Sequence, residues 1–168
     1  LHEHPRTRPL HIAGPAGTEE RLRGMFQWMF GERAEPRELP PVEFHQLEPG
    51  RDETIAGIAI SPFRVPHQVR DVSLGMKVAV GGKTLLFSGD SAWTEEFIAQ
   101  SRGADLFLCE CCYYDREAPG HMNYLKLREH LPRLGCKKIL LTHLGDEMLA
   151  RSAEIDLPVA ADGMIVEI

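Results

Sequence analysis

The sequence lacks any long apolar run, and no basic segment precedes an apolar one near its start. A membrane-spanning helix needs about 20 consecutive apolar residues, and a secretory leader needs a basic stretch before its apolar one. The sequence therefore shows no signal for membrane insertion or for export. We expect a soluble chain with no membrane partner.

The regular cysteine spacing of a disulfide framework or a zinc ribbon is also missing. Three of the four cysteines crowd into one strand-like run, and the fourth stands apart: Cys109, Cys111, Cys112 and Cys136. Such thiols are typical of free cysteines kept in a reducing compartment. This favours a cytoplasmic protein.

Positive charge is in deficit, because 19 Lys and Arg stand against 25 Asp and Glu, giving a net charge of −6. Nucleic-acid binding draws much of its affinity from neutralising phosphates. The arginines between residues 21 and 37 alternate with glutamates, which is typical of a solvated helix face. Nucleic acid is therefore a less favoured partner than a small molecule.

The 168 residues, 43% of them hydrophobic, suffice for one domain with a core, so we predict a single domain over residues 1–168. Helical spacing of apolar residues predicts a helix from Thr18 to residue 30, with its apolar face on the core. Strands are predicted at residues 9–13, 42–47, 54–65, 73–80, 83–88, 105–109 and 138–142, with a last strand within 162–168. Further helices are predicted after Thr94 and over residues 123–134. Hairpins followed by strand–helix–strand units indicate an α/β (α+β) fold with helices outside the sheets.

Three of these apolar strands end on side chains that bind metals, namely His67, Asp90 and His143. A carboxylate beside a buried strand is costly unless its charge is compensated, and a metal ion is the strongest compensator. The pattern predicts a metal centre at one edge of a sheet.

The ordered set of motifs resembles the metallo-β-lactamase superfamily of metal-dependent hydrolases, in particular its ribonuclease-Z-like and small-phosphodiesterase branch. The matching segments are Pro66-His67, Phe87-Ser88-Gly89-Asp90, Leu108-Cys109-Glu110-Cys111, Gly120-His121, Leu141-Thr142-His143-Leu144 and Ala161-Asp162-Gly163-Met164. Asp90 follows His67 by 23 positions, and His143 follows Asp90 by 53. The resemblance implies an αβ/βα four-layer sandwich with a two-metal site at one edge.

The resemblance also implies a role for each matched residue. His67 would bind the first metal, Asp90 would bridge both and His143 would bind the second. Glu110 and His121 look like the family's supporting carboxylate and its proton-donating histidine, so His121, Glu110 and Asp90 form the predicted catalytic set. The implied cofactors are two divalent ions, zinc or alternatively manganese, which would activate a hydroxide against phosphorus or a carbonyl carbon.

One departure is large, because the family's H-x-H-x-D-H motif is absent. The segment His2-Glu3-His4 lacks the following Asp-His pair, and we reject it as a substitute. The chain, which starts at Leu1, is therefore expected to correspond to the C-terminal two-thirds of such an enzyme, truncated at the N-terminus. We expect weak or no metal binding by this chain alone, and activity only in the intact protein.

Some residues keep a structural interpretation. Glu110 sits between thiols, where an unpaired carboxylate is expensive, so pairing with His121 is expected, either as a structural link or for catalysis. His11, His45 and His130 are assigned to structure or surface.

The preferred substrate is a small phosphodiester. The alternative is a ribonuclease-Z-like endonuclease that processes transfer-RNA 3′ ends, which in bacterial relatives carries a basic arm between the positions of His67 and Asp90. Only 22 residues lie between these two here, and they are predicted to form two strands. A third hypothesis is a non-catalytic fragment or interaction domain without a complete metal site. The resemblance further implies a homodimer.

Overall fold

A computed structural model describes residues 8–31, 41–67 and 71–168. His2, His4 and part of the arginine-rich stretch lie outside these residues. The strands are β1 (Leu10–Gly14), β2 (Val42–Gln46), β3 (Glu53–Ile55), β4 (Ile58–Arg64), β5 (Leu74–Val80), β6 (Lys83–Phe87), β7 (Leu106–Glu110) and β8 (Lys138–Thr142). The α-helices are α1 (Thr18–Phe30), α2 (Glu96–Ser101), α3 (Tyr124–His130) and α4 (Asp146–Ala150). The chain divides into two compact units, Leu1–Glu48 and Pro49–Ile168, and the single domain over residues 1–168 stays a prediction.

The first unit pairs β1 with β2 in parallel, with α1 between them in sequence. The helix begins as predicted, although its N-cap is Gly17 at φ 84° and the Thr18 hydroxyl donates to the Pro15 carbonyl at 2.7 Å. The prediction that its apolar face packs on a core is wrong, because no residue of α1 is buried. Helical spacing identifies the hydrophobic side of a helix but does not show that another element covers it.

The second unit is built on a six-stranded sheet in the order β3-β4-β5-β6-β7-β8. Pairing is antiparallel from β3 to β6 and parallel from β6 to β8. The strand predicted over 54–65 is in fact two strands, because Ala56 at φ 50° and Gly57 at φ 82° form a two-residue hairpin turn between β3 and β4. The predicted Gly81-Gly82 hairpin joins β5 to β6, with φ angles of 59° and 77°.

The core of the second unit joins the sheet to its helices. Its members include Phe97 of α2, Phe107 of β7, Tyr124 of α3, Leu141 of β8 and Met148 of α4, each fully buried. Burying a side chain of this size stabilises the fold by about 1.5–3 kcal/mol. This core fixes the positions of the strand ends that carry the site.

Two predicted elements differ at their ends. The helix over 123–134 is α-helical only to His130 and then turns into a 3₁₀ segment, Leu131–Arg133, because Pro132 has no N–H for an α-helical hydrogen bond. The last strand within 162–168 does not form, since the chain's final bridge to the sheet is Val159 beside Leu141. No helix in the described part of the chain is long and apolar enough to cross a membrane.

Candidate metal centre

The predicted site residues follow the carboxyl ends of three neighbouring strands. Glu110 ends β7, His143 comes directly after β8, and Asp90 follows β6 by three positions. The carboxyl ends of parallel strands meet at one edge of a sheet, where α/β proteins place their ligands. Gly89 makes the turn before Asp90 at φ 62°, and a Cβ there would lie 2.7 Å from the Leu74 carbonyl oxygen. Only glycine fits this turn without displacing backbone.

Three of these side chains approach one another directly. The Nε2 atom of His143 lies 3.7 Å from Oδ2 of Asp90, and its Nδ1 atom lies 3.9 Å from Oε2 of Glu110. The His143 ring also stacks on the His121 ring, with centroids 5.4 Å apart and planes 4° from parallel. The structure therefore gathers residues from positions 90 to 143 at one place.

Glu110 is the best supported member of the group. Its side chain is 1% exposed, and its carboxylate accepts hydrogen bonds from the backbone N–H groups of Ser91 at 2.9 Å and Cys112 at 3.1 Å. His121 Nδ1 lies 2.9 Å from the same carboxylate. An ionised carboxylate can only accept, so Nδ1 donates and His121 keeps Nε2 for the site. The expected pairing of Glu110 with His121 is present.

His67 is oriented by a backbone group. Its Nδ1 atom lies 2.9 Å from the Gly120 carbonyl oxygen, which can only accept, so the ring donates from Nδ1 and keeps the lone pair on Nε2. Metal-binding histidines are usually held in this way. The His67 ring meets the His121 ring edge to face, with centroids 4.9 Å apart. Gly120 permits the approach, since a Cβ there would lie 2.6 Å from the His67 carbonyl oxygen.

His143 carries backbone strain. Its φ of 58° lies in the left-handed region, which a non-glycine residue adopts at a cost. Strain of this kind clusters at functional sites, where the surrounding structure holds a residue in place. Here the chain turns sharply at the end of β8, and the His143 ring comes to lie beside His121 and Asp90.

Cys112 joins the group, although the sequence interpretation treated it as an ordinary buried thiol. Its sulfur and one nitrogen each from His121 and His143 all lie within 4.8 Å of one another. Burial, and then the charge of Glu110, raise the pKa of the Cys112 thiol, while a hydrogen bond with Tyr113 lowers it. The sequence did carry a signal, because Cys112 stands two positions after Glu110, the spacing that keeps side chains on one side of an extended chain.

The donor set fits a divalent transition metal. Imidazole nitrogen, carboxylate oxygen and thiolate sulfur are the ligands of zinc, and three protein ligands with one open position are typical of its catalytic sites. Cys112, His121 and His143 place one donor atom each within 4.8 Å of one another. Of the predicted ligands, Asp90 lies 3.7 Å from His143, whereas His67 is connected to His143 through the His121 ring that lies between them. The metal-binding roles of these three remain predictions.

A cavity of about 530 Å³ opens beside His121. Its lining includes Trp93, Pro119, Met122, Asn123 and Lys126. The lining also includes the acidic residue Glu117, and the Lys126 ammonium lies 3.3 Å from the Glu129 carboxylate. A ligand in this cavity would have one end next to the His121 ring.

Comparison with known proteins gives a consistent result. The model of the family described as "Beta-lactamase superfamily domain" matches residues 1–144. A protein of Bacillus subtilis (strain 168) named "Probable metallo-hydrolase YhfI" is 31% identical over 100 residues, which cover 58% of this chain and 40% of that protein. The chain spans 40%, 58% and 57% of the length of the first three curated relatives that it matches.

Two solved structures show the same fold. A diphosphatase from the PhnP family superposes with a TM-score of 0.70 at 17% identity, over 95% of this chain and 59% of that one. The short form of human tRNase Z superposes with a TM-score of 0.70 at 19% identity, over 97% of this chain and 69% of that one. The names of all three proteins are those of hydrolases. The predicted fold class is confirmed.

Proposed function

We propose a function for this chain, which belongs to the metallo-β-lactamase superfamily in its ribonuclease-Z-like branch. The chain is part of a metal-dependent hydrolase that cleaves a small phosphodiester. The observation that carries the proposal is the His121–Glu110 pair at 2.9 Å, placed beside Asp90 and His143 at the carboxyl edge of the sheet. The buried Glu110 carboxylate orients the His121 ring, whose side chain is 22% exposed and so keeps one edge open to the site. A histidine that is oriented by a carboxylate in this way is suited to general acid–base catalysis.

The proposed ligands of the divalent metal are His67, Asp90 and His143, with Cys112 as a further donor. When bound, the metal would activate a water molecule and neutralise charge on the phosphoryl oxygens. Zinc is the proposed ion, and manganese is the alternative. Membership of the family implies that a divalent metal is bound. We propose that the site holds two ions.

His121 moves the proton. Its Nδ1–H is held by Glu110, so Nε2 is the atom that exchanges a proton with the substrate. The buried carboxylate stabilises the positive charge that the ring acquires when Nε2 is protonated, and it fixes the direction of the ring. Protonated His121 can then deliver the proton to the leaving-group oxygen of a substrate in the adjoining cavity.

A small phosphodiester is favoured over transfer RNA by the hairpin between His67 and Asp90. Residues 74–87 of that interval are strands β5 and β6 and their two-glycine turn, all within the sheet. In the described part of the interval, residues 71–89, no basic arm projects. The net charge of −6 also disfavours a large polyanion.

The test uses the intact protein that contains this chain, supplied with zinc or manganese, because we expect the chain alone to bind metal weakly or not at all. We expect hydrolysis of bis(p-nitrophenyl) phosphate, little cleavage of a transfer-RNA precursor, and a loss of at least about 100-fold in Asp90→Asn and His121→Ala. Asp105→Asn is the matched control, because it removes the charge of an aspartate at the opposite end of the strands. Preferred cleavage of the precursor would favour the ribonuclease-Z alternative. An intact protein that binds no metal and stays inert would favour a non-catalytic fragment or interaction domain.

We also propose that the protein is a homodimer and that it is located in the cytoplasm. These two proposals come from the resemblance and from the unpaired cysteines, Cys109, Cys111, Cys112 and Cys136, all of which are free thiols. Sedimentation equilibrium of the chain tests the first, and fractionation of the source cells tests the second.

A further inference from the structure

A second group of metal-binding side chains lies in the first unit, far along the sequence from the site above. His11 stands on β1, and Glu43 and His45 stand on β2. The parallel register pairs His11 with Glu43 and Ala13 with His45. Because Glu43 and His45 are two positions apart on a strand, their side chains leave the same face of the sheet. The sequence interpretation had assigned His11 and His45 to structure or surface.

The donor atoms of this group lie close enough together to bind one ion. Nδ1 of His11 lies 3.0 Å from Nε2 of His45 and 3.3 Å from Oε2 of Glu43. One donor atom from each of the three residues lies within 4.8 Å of the other two. Zinc binds nitrogen and oxygen at about 2.0–2.2 Å, so two ligands at the corners of a tetrahedron are about 3.3–3.6 Å apart.

The electrostatics of the group also favour a cation. Nδ1 of His11 faces two atoms that can accept a hydrogen bond, a carboxylate oxygen and an imidazole nitrogen. A proton on Nδ1 serves only one of them well, since a hydrogen bond weakens steeply away from linearity. A metal ion would satisfy all three lone pairs at once. The His11 and Glu43 side chains are 30% and 50% exposed, so ions can reach them from solvent.

We propose that His11, Glu43 and His45 form a second divalent-metal site, of the zinc class, that ties β1 to β2. Two imidazoles and a carboxylate form a common donor set for zinc, with one position left open. The two ligands on β2 and the single ligand on β1 make the ion a cross-link between strands. An isolated two-stranded pair is marginally stable, so such a cross-link has a physical benefit. This site does not depend on the proposed hydrolase function.

The experiment is a zinc titration of the metal-free full chain. The imidazole ¹H–¹⁵N signals in long-range NMR spectra show which histidines bind zinc, and competition with a chromophoric chelator gives the affinity. We expect the His11 and His45 signals to shift at stoichiometric zinc. His45→Ala and Glu43→Gln should weaken this one binding event by at least about tenfold, because each removes one of three ligands. His143→Ala should leave it unchanged, which separates this site from the carboxyl-edge site. His130→Ala is the matched control for loss of an unrelated histidine.

Two results would overturn the proposal. One is that zinc leaves the His11 and His45 signals in place, which would reduce the group to a hydrogen bond between two imidazoles. The other is zinc binding by His45→Ala and Glu43→Gln with the affinity of the parent chain. Glu43 is half-exposed, so Glu43→Gln reports on the metal even if His45→Ala does not fold.

Discussion

Strand β7 has an acidic residue at each end, and the two are used differently. Asp105 directly precedes the strand; its carboxylate accepts from Lys137 Nζ at 2.7 Å and from the Thr84 backbone N–H at 2.8 Å. Glu110 closes the strand, accepts two backbone N–H groups, and holds His121. The Lys137 ammonium only balances charge, whereas the His121 imidazole can exchange a proton at its free nitrogen. From these partners we expect a structural role for Asp105 and a catalytic role for Glu110.

Asp105 and Glu110 have different partners because they lie at opposite edges of the sheet. At the carboxyl edge, the segments after β6, β7 and β8 turn back over the strand ends and bring Asp90, His121 and His143 together. At the amino edge, Asp105 bonds to the strand start at Thr84 and to a lysine just before β8. The following variants test this difference between the two edges, beginning with the largest expected effect.

Replacing Glu110 should cause the largest loss. Glu110→Ala leaves the backbone N–H groups of Ser91 and Cys112 buried without an acceptor, so we expect a loss of about 2–4 kcal/mol in the free energy of unfolding. Asp105→Ala should cost less, because Lys137 is well exposed and can turn to solvent. Urea denaturation of both variants measures the difference, and a larger loss for Asp105→Ala would reverse the comparison.

Gly120→Ala should destabilise the carboxyl edge by about 1–3 kcal/mol, since φ is 81° and the new Cβ would approach the His67 carbonyl oxygen to 2.6 Å. It should also weaken metal binding, because the Gly120 carbonyl orients His67. The matched control is Gly103→Ala, at φ 72° with open space around the Cβ. Equal thermal denaturation midpoints and equal zinc affinity for the two variants would mean that Gly120 does not position His67.

Only part of the structure on which these predictions depend could be predicted from the sequence. The strand ends at Asp90, Glu110 and His143 were predictable, because an apolar run that stops on a polar side chain marks an edge of the sheet. For Cys112 the sequence carried only its spacing of two positions from Glu110, because the course of the chain after β7 decides where the sulfur lies. Exposure of α1 was also beyond prediction, because amphipathic spacing does not reveal what covers a helix face. The split of the strand at Ala56 required a non-glycine residue at positive φ, which the sequence pattern does not signal.

The strain at His143 predicts a difference of about 1 kcal/mol between two substitutions. Glycine accepts the φ of 58° without a steric penalty, while alanine does not, so His143→Gly should be more stable than His143→Ala. Both should lose affinity for zinc at the carboxyl edge. Denaturation curves and zinc titrations of the pair check this, and a less stable glycine variant would show that the backbone there is not strained.

The smallest effect concerns the amino edge and depends on pH. The hydrogen bond from Lys137, followed by that from the Thr84 N–H, lowers the pKa of Asp105 from its ordinary value of 3.8. The carboxylate therefore stabilises the fold at any pH above that value, and this contribution is lost as pH falls below 3.8 through the lowered pKa. Asp105→Asn should be slightly less stable than the parent at pH 7, and the gap should close in acid. A gap that widens as pH falls from 5 to 2.5 would have the wrong sign.

The central claim, that the carboxyl edge of β6, β7 and β8 holds a divalent metal, is tested most directly by crystals of the protein soaked in excess zinc, which would fill even a weak site. We predict an anomalous peak at the zinc absorption edge beside His143, about 2.0–2.1 Å from an imidazole nitrogen and in reach of Asp90. The His121–Glu110 hydrogen bond should persist in that structure. A well-ordered carboxyl edge without a peak, in crystals that bind zinc elsewhere, would contradict it.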